Sequence, residues 1–464
     1  MTRFVASRAY RNLRRAGRGD KVALNSQGIG VLAGLLVTII IWIFKPFKLP
    51  FSMGGVFLAM SLLVIGLKPA VVFSGFSQPA LWTLVPALFF GYTLQKTGLG
   101  KHVALLIIGL IKKPSYLKVM LAWVLIGVVL SILTPSITVR VAIIMPVAAR
   151  CCELFDLEKH SKGNSLIQLT AFAMALTPGN GWLSGSLNGP ILQGLFDAQP
   201  QLNGLLNFSS WFSAVFLPME LTTVLLIIFG WLMLKPKDGM SLSPSDELTQ
   251  AKHMPWSREE KISGVILCMV FVLFLTNQWH GIPDAAVCLL ALFLFFAFGI
   301  MDVKEVSVGI NWDLIIFIGM SLGLGSVFEV TGLSEWFSGM IVGLLAPVSS
   351  NPWLLIYASV VFLFLWRFID IAILIPTMAV LVPVLPAISQ AYAISPLVWV
   401  VLFVMSINCF FMAYQNMWAL MSQSMNDDRS WTGAHLGRYG LAYFAACLVA
   451  LAVAVPYWMG LGLV

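Results

Sequence analysis

Apolar runs of about 15 to 24 residues recur along the whole chain, separated by short polar, proline-containing or glycine-containing segments. About 20 apolar residues cross the hydrocarbon core of a bilayer. A chain inside lipid must satisfy its own backbone hydrogen bonds, and a helix does so within one segment. The pattern therefore predicts an all-α polytopic membrane protein.

The apolar runs form two series. The first lies near residues 28–44, 54–72, 80–95, 103–112, 117–152, 165–195 and 211–234. The second lies near residues 262–277, 285–301, 313–330, 336–347, 353–385, 397–425 and 438–460. We therefore divide the chain into a basic N-terminal tail (1–27), a first transmembrane repeat (28–234), a charged linker (235–261) and a second transmembrane repeat (262–464).

The second series repeats the first with a shift of 234 residues. Under this shift YTLQKTGLG (92–100) and VFEVTGLSE (327–335) share T-G-L, and Gly91 pairs with Gly325. Internal duplication is typical of secondary transporters, whose substrate site lies near the bilayer midplane between discontinuous helices.

Four segments are interrupted where a simple span would continue. Segments 117–152 and 353–385 are too long for one crossing and are broken centrally, which predicts re-entrant hairpins; TPSIT forms the first tip. Segment 165–195 is broken at TPGNGWLSGSLNGP (177–190), and 397–425 is the equivalent broken helix. Freed amides and half-helix N-termini at such breaks can meet an anion.

Arg140 lies two residues past Thr138, beside the predicted first tip. A buried arginine costs about 2.5–3.5 kcal/mol, so it should face a cavity or a partner. Its planar fork suits a carboxylate. The alternative is a structural ion pair with Glu220 or Asp370.

The other ionisable residues in apolar runs are few. Arg367 and Asp370 have the spacing to pair with each other on a helix. Glu220 has no partner that the sequence reveals. Asp313 and Glu329 lie near predicted helix ends, where an interfacial position is favoured.

Composition agrees with a membrane protein and excludes several other classes. Hydrophobic residues make up 59% of the chain and charged residues 10%, with a mean hydropathy of +0.91, whereas a soluble domain is about a quarter charged. The six cysteines include no CxxC and the five histidines no HxxxH, so neither a disulfide framework nor a metal site is indicated. No catalytic dyad or HExxH appears, which argues against a membrane enzyme or lipid-handling protein.

The N-terminal tail carries six arginines and one lysine and contributes much of the net charge of +8. It is typical of a cytoplasmic anchor or a helix on the membrane surface. Nucleic-acid binding is not favoured.

Several motifs occur in a specific order: KPFKLPFSMGGV, FSGFSQPALWTLVPALFF, LQKTGLGKHVALL, TPSITVR, LTAF and the terminal PYWMGLGL. Together they resemble the divalent-anion/sodium symporter family of the ion-transporter superfamily, and within it the citrate/succinate and oxoglutarate/malate antiporter branch. The resemblance implies an elevator-type transporter of a small-molecule anion, with about 10–11 transmembrane helices and two re-entrant hairpins. It also implies a homodimer in the bacterial inner membrane and no cofactor.

The resemblance assigns the anion site to two hairpin tips and two broken helices. Ser136 and Thr138 match the first tip motif, where Ile137 replaces an asparagine, and Arg140 matches an arginine of the branch. The remaining substrate-site positions are Asn180, Ser184, Ser186, Asn188, Thr377, Asn408, Gln415 and Asn416. Glu220 and Asp370 are the candidates for ion coupling.

The second tip motif is replaced by Ile373, Leu374 and Ile375, which supply no side-chain oxygen for sodium. Arg140 can also supply the positive charge that sodium would bring. We therefore expect anion exchange or proton coupling of a di- or tricarboxylate rather than full sodium symport. An inorganic oxyanion permease (sulfate, phosphate or arsenite) and a cation/proton antiporter of the same superfamily are the alternatives.

The charge distribution gives two conflicting indications of the membrane topology. Ten spans, five per half, would invert the second half relative to the first and place the loop lysines and the linker on the cytoplasmic face. The basic tail would then lie on the opposite face, against the same rule.

Overall fold

The computed structural model describes residues 24, 26–44, 46, 49–111, 115–237, 255–307, 309–348, 351–370, 374–425 and 431–464. Nearly all of the predicted basic tail and most of the charged linker lie outside these residues. Within them every regular element is helical. The prediction of an all-α polytopic fold is confirmed.

The long helices follow the same order in both halves, whereas some short helices occur in one half only. The first half has Ser26–Phe44, Phe51–Val64, Pro69–Val72, Pro79–Thr97, Leu99–Ile108, Tyr116–Leu133, Ile137–Leu154, Lys162–Leu176, Asn188–Asp197, Phe208–Trp211 and Leu217–Leu234. The second half has Arg258–Leu275, Asn277–His280, Asp284–Ala297, Trp312–Thr331, Leu333–Leu345, Pro352–Trp366, Ile375–Leu381, Leu385–Tyr392, Pro396–Ile407, Met417–Met425 and Gly433–Gly460. A π-helical turn, Phe212–Phe216, joins Phe208–Trp211 to Leu217–Leu234.

Five of the described helical segments are long and apolar enough to cross a bilayer, by length and composition alone. They are Tyr116–Leu133, Phe208–Leu234, Trp312–Thr331, Ile375–Tyr392 and Gly433–Gly460. A sixth candidate is the pair Leu333–Val348 and Pro352–Trp366, which bends by 116°. The count of 10–11 spans expected from sequence therefore includes several helices of 10–17 residues, which are short for a complete crossing.

Local sequence explains where the equivalent helices end. Pro79–Thr97 ends at Gly98, with φ of 78°, and Trp312–Thr331 ends at Gly332, with φ of 75°. This left-handed conformation favours glycine, which has no Cβ to clash. The two glycines are 234 residues apart, as the predicted repeat requires.

The halves exchange equivalent contacts. Phe51–Val64 of the first half packs against Trp312–Thr331 of the second, while Asp284–Ala297 of the second packs against Pro79–Thr97 of the first. A two-fold relation between the halves produces this reciprocal pattern.

The last helix of each half shows the direction of that relation. Near one end of the pair, a Cβ on Gly230 would contact the ring of Tyr439. Near the other, the Tyr457 hydroxyl donates to the main-chain oxygen of Ser213 at 2.8 Å, and the Trp458 indole donates to that of Ala214 at 2.9 Å. The two helices are therefore antiparallel, and a two-fold axis that relates them is perpendicular to both. For helices that cross a membrane, this axis lies in the membrane plane, which is the geometry of inverted repeats.

The segment predicted as the first hairpin, 117–152, contains two helical arms joined at residues 134–136; its re-entrant course in the membrane stays a prediction. Its arms, Tyr116–Leu133 and Ile137–Leu154, both pack along Lys162–Leu176. Lys162–Leu176 has 15 residues and is about 22 Å long at 1.5 Å per residue, whereas each arm has 18 residues. Both arms can run along this helix only if the chain turns back between them. The chain reverses at Pro135.

The second predicted hairpin differs in two details. Its first arm is Pro352–Trp366, and its second arm continues through Ile375–Leu381 and a 3-10 turn to Tyr392, past the expected end at residue 385. Arg367 is the C-cap residue that directly follows the first arm. The expectation that Arg367 and Asp370 share a helix is therefore wrong, because the chain leaves the helix between them.

Candidate functional site

The first tip, residues 134–136, is held by its own hydroxyl groups. The Thr134 hydroxyl accepts a hydrogen bond from the main-chain N–H of Ser136 at 3.1 Å, and the Ser136 hydroxyl caps the second arm at the N–H of Val139. Gly91 packs directly on this tip, because a Cβ there would lie 3.2 Å from the Thr134 hydroxyl oxygen. Ser136 is buried at the tip, so its hydroxyl serves the backbone of this conformation.

Arg140 lies one turn into the second arm and is completely buried. One guanidinium nitrogen, Nη1, donates to the main-chain oxygen of Gly185 at 3.0 Å. Nε and Nη2 have no hydrogen-bond partner. The guanidinium also contacts Gly179, where a Cβ would collide with it and with the carbonyl of Gly185. A buried cation with two unused donors is an incomplete arrangement that an anion would complete.

The first loop, residues 177–187, is built around Asn180. Its Oδ1 accepts from the Ser186 hydroxyl at 2.8 Å and from Asn188 Nδ2 at 3.2 Å, while its main-chain oxygen accepts from the Trp211 indole at 3.1 Å. All three polar residues predicted from sequence are buried. These bonds give Asn180, Ser186 and Asn188 a role in shaping the loop; their role as ligands stays a prediction.

Ser184 faces a different environment. It lines a largely apolar cavity with Pro135 of the first tip and Pro190 of the following helix. Thr83 lines this cavity and also a second one of about 220 Å³. The wall of the second cavity is mixed, and its polar side chains include Gln193, Asp197, Asn207, Asn277 and Asp284.

The second loop, residues 408–416, carries three predicted side chains that are all buried. Asn416 Oδ1 accepts from the N–H groups of Trp418 and Ala419 and so caps the following helix, and Gln415 Oε1 accepts from the N–H of Met412 at 2.9 Å. Asn408 Nδ2 donates to the Val404 carbonyl at 3.2 Å. The other amide atoms, Asn408 Oδ1, Gln415 Nε2 and Asn416 Nδ2, have no partner.

The second tip comprises residues 367–374, of which 371–373 lie outside the described residues, as does the predicted position Ile373. The Thr377 hydroxyl accepts from the Trp366 indole at 2.9 Å and donates to the Asp370 carboxylate. Arg367 donates to the main-chain oxygens of Asp370 and Gln415. The tip is thereby tied to the second loop.

Contacts join all four segments. Arg140 links the first tip region to the first loop, and Arg367 links the second tip to the second loop. The remaining link crosses between the halves: the Trp418 indole donates to the exposed Thr138 hydroxyl at 3.0 Å. Sequence reasoning missed Trp418, although it follows Asn416 closely in AYQNMW and carries a donor.

Charge at the site is dominated by the two buried arginines. Arg140 Nη1 donates to the Gly185 carbonyl and Nε and Nη2 have no partner, so no carboxylate among the described residues pairs with Arg140. The alternative of a structural ion pair with Glu220 or Asp370 is therefore wrong for Arg140. Among the described residues no three His, Cys, Asp or Glu side chains are grouped as metal ligands would be.

Comparison with known proteins places this geometry in a family. Dicarboxylate transporter 1 of Arabidopsis thaliana chloroplasts is 25% identical over 346 residues, covering 72% of this chain and 61% of the relative. The L-tartrate/succinate antiporter of Escherichia coli K12 is 26% identical over 310 residues, covering 64% and 61%. This chain thus spans 61% of the length of both relatives, and both are transporters rather than enzymes.

A solved structure shows a similar fold. The YdaH transporter of Alcanivorax borkumensis, described as having an unusual topology, matches with a TM-score of 0.56 at 15% identity, over 85% of this chain and 88% of that one. The family model described as the sodium:sulfate symporter transmembrane region matches residues 21–464. The resemblance seen in the motifs is confirmed, and the chain belongs to this divalent-anion/sodium symporter family.

Proposed function

We propose that this chain is a secondary active transporter of organic anions of the di- or tricarboxylate class. The observation that carries the proposal is Arg140, which is fully buried, has no paired carboxylate among the described residues and leaves Nε and Nη2 without partners. A carboxylate of the substrate would supply both the missing charge and the missing acceptors.

The relatives support this substrate class. One is named for dicarboxylate and the other for L-tartrate and succinate, all of which carry two carboxylates. One carboxylate would lie against Arg140. The other would meet unpartnered donors of the second loop, such as Gln415 Nε2 and Asn416 Nδ2.

For coupling, we propose exchange or proton coupling rather than full sodium coupling. Ile137, Leu374 and Ile375 occupy the tip positions where the resemblance implies oxygen-bearing side chains, and all three are buried. Sodium prefers several oxygen ligands, which these side chains lack. Glu220 and Asp370 remain the candidates for carrying a coupling ion.

We further propose that transport proceeds by alternating access, with the two hairpins and two loops moving as one elevator unit. The bonds that tie the four segments together support such a unit. A homodimer in a bacterial inner membrane completes the proposal, and the Escherichia coli relative supports the location.

Counterflow in proteoliposomes tests the function. Purified protein is reconstituted with internal unlabelled succinate, L-tartrate, citrate, sulfate or phosphate, and uptake of the labelled anion is followed with and without sodium. We expect counterflow of at least one di- or tricarboxylate in sodium-free buffer. A strict sodium requirement contradicts the coupling proposal, and absence of counterflow with every carboxylate contradicts the substrate class.

The second candidate cargo is an inorganic oxyanion, and sulfate is favoured by the description of the family. A tetrahedral dianion could also use both free donors of Arg140. Counterflow of sulfate without counterflow of any carboxylate would select this alternative.

A further inference from the structure

Glu220 lies in the first turn of Leu217–Leu234, directly after the π-helical turn Phe212–Phe216. Its Oε1 atom is buried and has no hydrogen-bond partner. No ion pair among the described residues includes it. π-helical turns occur frequently at functional sites, and an ionisable residue inside a membrane points to function by default.

The carboxyl group touches the first loop. A Cβ on Gly181 would collide with Glu220 Oε1, so glycine allows the loop to rest on this atom. Two neighbouring glycines of the same loop, Gly179 and Gly185, contact Arg140. One short loop therefore contacts both the proposed anion-binding residue, Arg140, and the unpaired carboxyl group of Glu220.

No charged side chain of the antiparallel partner helix lies at the level of Glu220. The antiparallel partner of this helix is Gly433–Gly460. Ser213 lies opposite Tyr457 and Gly230 lies opposite Tyr439, so Ala450 lies opposite Glu220. The nearest titratable groups on that helix are Cys447, then Tyr443, whose hydroxyl donates to the Met405 carbonyl, and on the other side Tyr457, whose hydroxyl donates to the Ser213 carbonyl. Tyr439 lies farther away and bonds to Thr170. Arg438 and His435 lie near the start of the helix, where Arg438 is about 18 Å along the axis from Ala450 at about 1.5 Å per residue.

The remaining neighbours of this helix are equally unable to balance a carboxylate. Apart from the adjoining π-helical turn Phe212–Phe216, which contains no ionisable side chain, the elements that pack most closely are Pro396–Ile407, the 3-10 turn Pro178–Asn180 and Lys162–Leu176. The first two contain no ionisable side chain, and the third contains only Lys162 at its far end. Arg140 contacts the first loop at Gly179 and Gly185, whereas Glu220 contacts it at Gly181.

We propose that Glu220 is the proton-binding site that couples proton movement to anion transport. Glu220 is half-buried, and its Oε1 atom is buried without a partner. A carboxylate in such a position is costly, and the group normally neutralises itself by taking up a proton. In one orientation of the carrier, an oxygen of Glu220 accepts a proton from water; in the other it returns the proton to water, and no other bond changes. Anion occupancy at Arg140 and protonation at Glu220 are linked because both groups bear on the first loop. This inference deepens the proposed function and rests on it.

The first test reads the proton directly and needs no transport. Infrared difference spectra of the reconstituted protein are recorded as the pH is changed, using the C=O stretching band of a protonated carboxyl group. We expect a band of this kind in the wild-type protein that Glu220→Gln removes. The control Glu329→Gln changes an exposed glutamate and should leave the band in place. A wild-type spectrum without a band sensitive to Glu220→Gln overturns the proposal, whatever the protein transports.

The second test separates coupling from binding. Labelled succinate and L-tartrate are used as probes, and a trapped pH dye reports proton entry into the vesicles. We expect a pH gradient to drive accumulation and proton entry in wild type and in Glu329→Gln. In Glu220→Gln we expect counterflow within about twofold of wild type, with proton entry lost.

The contrary outcomes of the second test are also distinct. Proton-driven accumulation that survives in Glu220→Gln overturns the proton site. Loss of counterflow in a Glu220→Gln protein that still melts like wild type assigns Glu220 to anion binding instead. Accumulation that sodium drives and that Glu220→Gln abolishes assigns the carboxylate to a metal cation. Absence of counterflow in wild type refutes the proposed function and leaves the infrared result to decide the proton site.

Discussion

Replacing Arg140 by alanine should abolish high-affinity anion binding and leave the stability of the protein nearly unchanged. The substitution removes two unpartnered donors, and a hydrogen bond to a charged group contributes about 1.5–3 kcal/mol. Two such bonds amount to at least about 3 kcal/mol, which is about a 100-fold loss of affinity.

The effects on stability oppose each other. Alanine leaves the Gly185 carbonyl unsatisfied, at a cost of about 1–3 kcal/mol. It also removes a buried cation whose cost in a membrane is about 2.5–3.5 kcal/mol. The two contributions nearly cancel, so Tm should stay within a few degrees of wild type.

Thermal shift and counterflow measured on the same preparations check this prediction. Arg150→Ala is the matched control, because Arg150 lies on the same helix but is exposed and pairs with Glu153 at the surface. It should retain wild-type counterflow. If Arg140→Ala transports succinate, L-tartrate and citrate with unchanged half-saturation, or loses Tm without losing affinity, the anion role of Arg140 is refuted.

Three other predictions follow from the packing and the topology. Gly127→Ala should lower Tm, since a Cβ there collides with a main-chain oxygen of the neighbouring helix and overpacking costs about 1–3 kcal/mol. Gly264→Ala should not lower Tm, because a Cβ there lies 3.7 Å from the Leu99 side chain, an ordinary van der Waals contact. Trp418→Phe removes the hydrogen-bond donor to Thr138. The anion concentration for half-maximal transport should change, while Tm should stay within a few degrees of wild type. An unchanged half-saturation concentration would make the contact purely structural. Reporter fusions in the N-terminal tail and in the linker should lie on opposite faces of the membrane; the same face for both would refute five spans per half.

Much of the fold could be predicted from sequence, because a bilayer leaves the backbone few choices. Each apolar run must form hydrogen bonds within itself, so the runs became helices. Proline disfavours a continuing helix, and Pro135 lies at the first tip, between the two arms. Proline alone does not place a break, because Pro86, Pro146 and Pro456 lie inside continuous helices. The shift of 234 residues also predicted a structural repeat, since equivalent sequences end their helices at equivalent glycines, Gly98 and Gly332.

The chemistry of the site was predicted less completely. Arg140 stood out because an arginine in an apolar run is costly. Its partner could not be predicted, because the Gly185 carbonyl that it contacts lies 45 residues away in the sequence. Trp418 and Thr138, 280 residues apart, meet only in the folded chain. Sequence spacing describes neighbours along one helix, and it contains no information on which helix faces another.

The sequence by itself therefore determined the helical class, the breaks, the duplication and the presence of a cation that demands compensation. Only the tertiary structure decided that Asn180 bonds to its own loop, that Arg140 keeps two free donors and that Glu220 rests unpaired against Gly181. The physical reason is that hydrophobicity and backbone chemistry act locally along the chain, whereas the partner of a buried polar group is set by the packing of distant segments.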